Sequence, residues 1–145
     1  MIVGFTINGI TAKRNDGVSV RGKEINVTTN PTITEIKLID VLGKKDALRA
    51  KYVFKCEYEP RIGEISFEGD VLWKGNSEKE THHVAELWDK ETKFEPAAAT
   101  ETMNTILRRC LTRAIGLADE LRLPPPLQFP IVTTKEEKTE QQDIG

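Results

Sequence analysis

The chain has 145 residues, with 21 Lys and Arg against 23 Asp and Glu and a formal charge of −2. That length suits one domain, and it buries roughly 70% of the unfolded surface without staples. The near-neutral balance excludes a basic nucleic-acid coat and an acidic solvating chain, and two cysteines exclude a disulfide framework.

The opening Met1-Ile2-Val3-Gly4-Phe5-Thr6 has no basic leader and no long apolar core, so it does not read as a signal peptide. No apolar run approaches the roughly 20 residues of a spanning helix, so no membrane insertion is expected. The expected location is the cytoplasm, with Cys56 and Cys110 reduced.

Val3, Phe5 and Ile7 alternate with polar residues, and the phase then moves at Gly9 to Ile10 and Ala12. A glycine at a phase change predicts a strand with a bulge. Asp16-Gly17 predicts a turn. Ile25 to Thr29 and Thr32 to Leu42 are rich in β-formers and read as two pieces split by Asn30-Pro31. A turn at Gly43-Lys44-Lys45-Asp46 follows.

The clearest strand is next: Leu48, Ala50, Tyr52, Phe54, Cys56 and Tyr58 occupy one face, and charged residues occupy most of the other. Ile65, Phe67, Gly69, Val71 and Trp73 repeat the pattern. The two form a hairpin whose apolar faces coincide in only one parity of register, because a one-residue slip exchanges the faces. A loop Pro60-Arg61-Ile62-Gly63 satisfies that parity and sets Cys56 opposite Phe67 and Lys55 opposite Glu68. The whole front half therefore predicts four or five antiparallel strands.

The period then changes. Val84, Leu87 and Trp88 lie at helical spacing in Ser77–Glu91, a short helix. Pro96 suits the first turn of a long helix running to about Arg122, ~40 Å at helical rise. Met103, Ile106, Leu107, Cys110, Ala114, Leu117, Ala118 and Leu121 form its apolar stripe, and Leu111 and Ile115 widen it. That exceeds what one small sheet needs as a cover, so Leu107, Leu111 and Ile115 are candidate oligomer contacts. Leu123-Pro124-Pro125-Pro126 ends the helix in an extended exit. The stretch after Val132, Thr133 to Gly145, has one large apolar residue in thirteen and reads as a flexible charged tail behind a single domain over 1–132.

Chemistry-bearing motifs are few. There is no phosphate loop, nucleophile elbow, H-E-x-x-H or paired-cysteine spacing, so neither an enzyme, a cofactor nor a metal is expected. His82-His83 diverge by about 100° on a helix and cannot easily share one ion. Glu57, Glu59, Glu64 and Glu68 read as a solvated face. Arg108, Arg109 and Arg113 could touch phosphates, but Glu101 and Asp119 stand nearby and the chain is net negative, so no nucleic-acid partner is expected. What remains is hydrophobic: Val84, Leu87, Trp88, Phe94, Leu127, Phe129 and Ile131 lie in short or irregular segments and form the candidate surface for a polypeptide client.

The order of parts resembles the SecB family of export chaperones, particularly its divergent archaeal members. The resemblance rests on the register Ile106-Leu107-Arg108-Arg109-Cys110-Leu111 and on the segment Leu123-Pro124-Pro125-Pro126-Leu127-Gln128-Phe129-Pro130-Ile131-Val132. Element order matches over most of 1–132, residues only over Met103–Val132. Two features depart from the pattern: a charged tail stands where a second C-terminal helix is usual, and Leu127-Gln128-Phe129-Pro130 is one spacer short. The resemblance implies an α+β, SecB-like fold with the sheet covered by one long helix and a short helix before it. It also implies an ATP-independent holdase for non-native polypeptides, in export or otherwise, acting as a dimer or tetramer. The alternative is a SecB-fold adaptor for one specific partner, without general chaperone activity.

Overall fold

In the computed structural model, which describes residues 1–15 and 24–126, strands β1 (Ile2–Arg14), β2 (Asn26–Val41), β3 (Lys44–Glu59) and β4 (Gly63–Trp73) precede helices α1 (Glu78–Glu91) and α2 (Pro96–Glu120). The strands form one antiparallel sheet in the order β1-β4-β3-β2. The two central strands are the two with the strongest sequence alternation. Their apolar residues Leu48 to Tyr58 and Ile65 to Trp73 are buried on one face, and charged residues such as Lys51, Lys55, Glu57 and Glu68 are exposed on the other. The Asp16-Gly17 turn lies outside the described residues.

Three local expectations need correction. The β2 region is one strand rather than two, running through Pro31, which pairs with Phe54. This strand is a sheet edge, the place in a sheet where a proline's missing N–H is tolerated. The turn into β3 is Leu42-Gly43, with φ of 53° and 83°, and Val41 pairs with Lys44. Glycine makes the left-handed second position easy. The β3–β4 hairpin has the expected parity but is shifted by two: Cys56 faces Ile65, Lys55 faces Ser66 and Phe54 faces Phe67. Its loop is therefore 59–62. The shift buries Ile62 completely, and the Ile62 N–H donates to the Tyr58 carbonyl at 2.9 Å. It also seats Gly63 against the Lys13 carbonyl, where a Cβ would stand 2.5 Å from the oxygen. The bulge expected near Gly9 is present as a register break between Ile7 and Gly9.

Both helices start as their sequences direct. Ser77 caps α1 by accepting from the Glu80 N–H (3.1 Å), while the Glu80 carboxylate accepts from the Asn76 N–H, close to a capping box. Before α2 the Glu95 carboxylate accepts from the Ala97 and Ala98 N–H groups, with Pro96 in the first turn. Along α2, Ala98, Thr102, Ile106, Cys110, Ala114 and Ala118 are buried at every fourth position. Most are small, so the helix axis can lie close to the sheet. Beneath it is the larger core, with Tyr52, Phe54, Cys56, Tyr58, Ile62, Ile65 and Phe67. A second core, with Ile36, Leu48, Ala50, Trp73 and Val84, sits under α1. Both cysteines are free and fully buried in the larger core. Burial pushes the Cys56 thiol up to about 12 and that of Cys110 up to about 11, so neither is a thiolate at neutral pH.

Candidate functional site: the groove between β1 and α2

Strand β1 is an edge; among the described residues nothing pairs with its outer side. Its inward face carries Phe5 and Ile7, both half-buried. Between this strand and α2 runs an open groove of about 820 Å³ lined by Phe5, Ile7, Arg108, Arg109, Thr112 and Arg113. A smaller depression of about 140 Å³ on the open sheet face includes Asn8, Lys51, Glu68 and Asp70. There the Asn8 side-chain amide already donates to Asp70 at 2.9 Å.

A chain of contacts fixes the groove floor. Gly69 lies on the covered face of β4, between Ile7 on one side and Tyr52 on the other. A Cβ at Gly69 would collide with the Thr6 carbonyl and stand 2.8 Å from the Tyr52 hydroxyl. Because glycine leaves that space open, Tyr52 leans across β4 and its hydroxyl donates to the Thr6 carbonyl at 2.9 Å. Its ring then stacks on Phe5, with centroids 5.4 Å apart. Burial drives the Tyr52 hydroxyl well above the ordinary tyrosine range, so it stays a neutral donor. Above Phe5 lies the Arg109 guanidinium, 5.2 Å from the ring centroid, an arrangement in which cation and ring attract.

The wall is cationic. Arg108, Arg109 and Arg113 form no ion pair among the described residues. Strand β1 contains no Asp or Glu. The nearest acids along the helix, Glu101 and Asp119, are six to seven positions away, about 10 Å of helical rise. Glu101 is already engaged: it accepts from the Trp73 indole at 2.9 Å and pairs with the Met1 amine at 3.1 Å. Those contacts, the indole first, hold its carboxyl below the usual range.

The sequence-derived candidates fall in several places. Val84 is 1% exposed inside the second core and offers a partner no surface. Trp88 and Phe94 are half-buried against that core, and Leu87 is half-buried. Leu127, Phe129 and Ile131 lie outside the described residues, as does the tail. Leu107, Leu111 and Ile115 keep partial exposure, and the first two pack against the larger core. The His82 ring Nε2 sits 2.8 Å from the Lys45 carbonyl, and His83 is exposed. No cluster of metal-ligating side chains occurs among the described residues, and none of their helices is long and apolar enough to cross a membrane. Sequence reasoning missed the partnership of Phe5 and Ile7 with the arginines. Alternation placed both side chains on the covered face, but nothing local shows which strand lies beside which helix flank.

No protein-family model matches the chain, and no curated protein matches it by sequence. In fold it is similar to a SecB-like chaperone, Rv1957 of Mycobacterium tuberculosis, solved in complex with a ChAD peptide from the Rv1956 HigA1 antitoxin. The TM-score is 0.57 at 15% identity, over 86% of this chain and 85% of that one. The chain thus has an α+β fold of the SecB-like kind.

Proposed function

We propose that this chain is a SecB-family polypeptide-binding chaperone that acts without ATP and is not an enzyme. The observation that carries the reading is the SecB-like fold, shared over most of both chains with a protein solved holding a peptide. The groove adds a physical route. An extended segment laid beside β1 can use the unpaired strand edge for backbone hydrogen bonds while its side chains meet Phe5, Ile7 and the arginines. Backbone pairing tolerates many sequences, which suits a holdase. We further propose a cytoplasmic dimer or tetramer joined through Leu107, Leu111 and Ile115, whose aliphatic surface exceeds what the sheet covers. Service to protein export is part of the same reading.

The test is light-scattering suppression with a chemically denatured client at stoichiometric protein, alongside mass determination in solution. A multimer that suppresses aggregation supports the reading; no suppression of any client overturns it. A second reading, an adaptor for one partner, is favoured by the neighbour's complex with a peptide from a single antitoxin. A pull-down dominated by one folded protein, without aggregation suppression, would establish that reading instead.

A further inference from the structure

Among the described residues the arginine wall has no ion-pair partner, and the sequence beyond α2 carries acidic groups. From Thr133 to Gly145 there are four carboxylate side chains, Glu136, Glu137, Glu140 and Asp143, against Lys135 and Lys138, with Ile144 close behind Asp143. We propose that this acidic segment docks in the β1–α2 groove, its carboxylates on Arg108, Arg109 and Arg113 and Ile144 against Phe5 and Ile7. It would thereby compete with clients for that groove. The competition rests on the polypeptide-binding reading; the docking does not.

Three observations support it. First is charge: three arginines stand beside a strand without a carboxylate, and Arg guanidinium forks match carboxylates. Second is position. Arg14, at the end of β1, donates to the Leu121 and Arg122 carbonyls at 3.2 and 2.7 Å, so the chain leaves α2 beside the strand that forms the groove. Arg113 and Arg108 lie about 12 and 20 Å back along the helix from Leu121. Nine residues separate Pro126 from Glu136, and an extended chain of that length spans roughly 30 Å. Third is tethering. Individual exposed ion pairs are weak, but a short tether holds the segment near its site at an effective concentration in the millimolar range.

The test uses the full chain carrying Thr139→Cys and a nitroxide label. Cys56 and Cys110 are buried with raised thiol pKa values, so the label goes to the new thiol. Docking predicts selective broadening of the amide signals of Phe5, Ile7, Arg109 and Arg113 over those of Lys55 and Glu57 on the opposite sheet face. The effect should vanish between about 20 mM and 0.5 M salt, as the screening length falls from roughly 20 to 4 Å. It should also vanish in Arg108→Ala/Arg113→Ala and in Glu136→Gln/Glu137→Gln/Glu140→Gln. No selective broadening at low salt overturns the proposal. So does broadening seen only in trans, in mixtures of spin-labelled and isotope-labelled chains, which would assign the groove to a second copy. The aggregation assay reports separately on the chaperone reading, so failure of one leaves the other legible. If both hold, the triple Glu→Gln variant should suppress aggregation at lower protein concentration than the native chain.

Discussion

The two flanks of α2 share one keel and end in opposite chemistry. Positions 98, 102, 106, 110, 114 and 118 bury the helix on the sheet. On one side of that line stand Leu107, Leu111 and Ile115, half-buried aliphatics. On the other, Arg109 and Arg113, with Arg108 and Thr112 above them, overhang Phe5 and Ile7. The aliphatic flank attracts by area alone, without direction, and accepts any apolar partner. The arginine flank attracts by charge and geometry, and its strength depends on salt. One helix can therefore supply adhesion on one side and discrimination on the other.

The largest effect is expected from breaking the platform below the arginine flank. Gly69→Val forces a side chain into the Thr6 carbonyl and the Tyr52 hydroxyl. It should cost about 4 kcal/mol of stability through overpacking and the lost hydrogen bond, read from chemical-denaturation midpoints. An unchanged midpoint would mean that Tyr52 does not need the gap at Gly69.

Truncating each flank in turn sharpens the contrast. Leu111→Ala should cost about 1 kcal/mol, since the side chain is only half-buried, and its effect should be insensitive to salt. Arg109→Ala should cost less, about 0.5 kcal/mol, from the lost ring contact. Client affinity in Arg109→Ala should also lose salt dependence, which Leu111→Ala should keep. Equal salt dependence in the two variants would erase the distinction between the flanks.

The smallest expected effect concerns Glu101, which ties α2 to Trp73. Its folded carboxyl lies below the ordinary range, first through the indole hydrogen bond and then the Met1 amine. Its contribution is therefore present above the unfolded carboxylate pKa and lost as pH falls through the lower folded value. The melting temperature of Glu101→Gln should converge on that of the native chain below that value and lie slightly beneath it at neutral pH. Parallel profiles would show that the contact adds nothing.

Much of the fold was legible before the structure. Alternation in β3 and β4 named the buried face from Leu48 to Tyr58 and from Ile65 to Trp73, because a half-buried strand must repeat every two residues, and missed only the out-of-phase Ala47. Helical spacing over Ser77–Glu91 and the first-turn Pro96 placed both helix starts to within a residue. Errors arose where a local rule depended on a neighbour. Pro31 splits a strand in the sheet interior, but on an edge such as β2 the strand runs through it. The hairpin parity followed from the pattern alone, but the choice between allowed registers turned on burying Ile62. Among candidate site residues, Leu107, Leu111 and Ile115 kept partial exposure, whereas Val84 went into a second core that no periodicity distinguishes from the first.

On β1 the sequence grouped Val3 and Ile10 with Phe5 and Ile7, although Val3 and Ile10 are exposed. By itself it determined the element types, the inward faces of β3 and β4 and the apolar stripe of the long helix. These depend on spacing along the chain, which the peptide geometry converts directly into faces. Tertiary structure alone decided that β1 and β2 are the edges, that Phe5 lies under Arg109, and that α2 ends beside Arg14. Each of those joins residues about 100 positions apart or a whole sheet across, and pattern along a chain carries no record of which distant face will meet which.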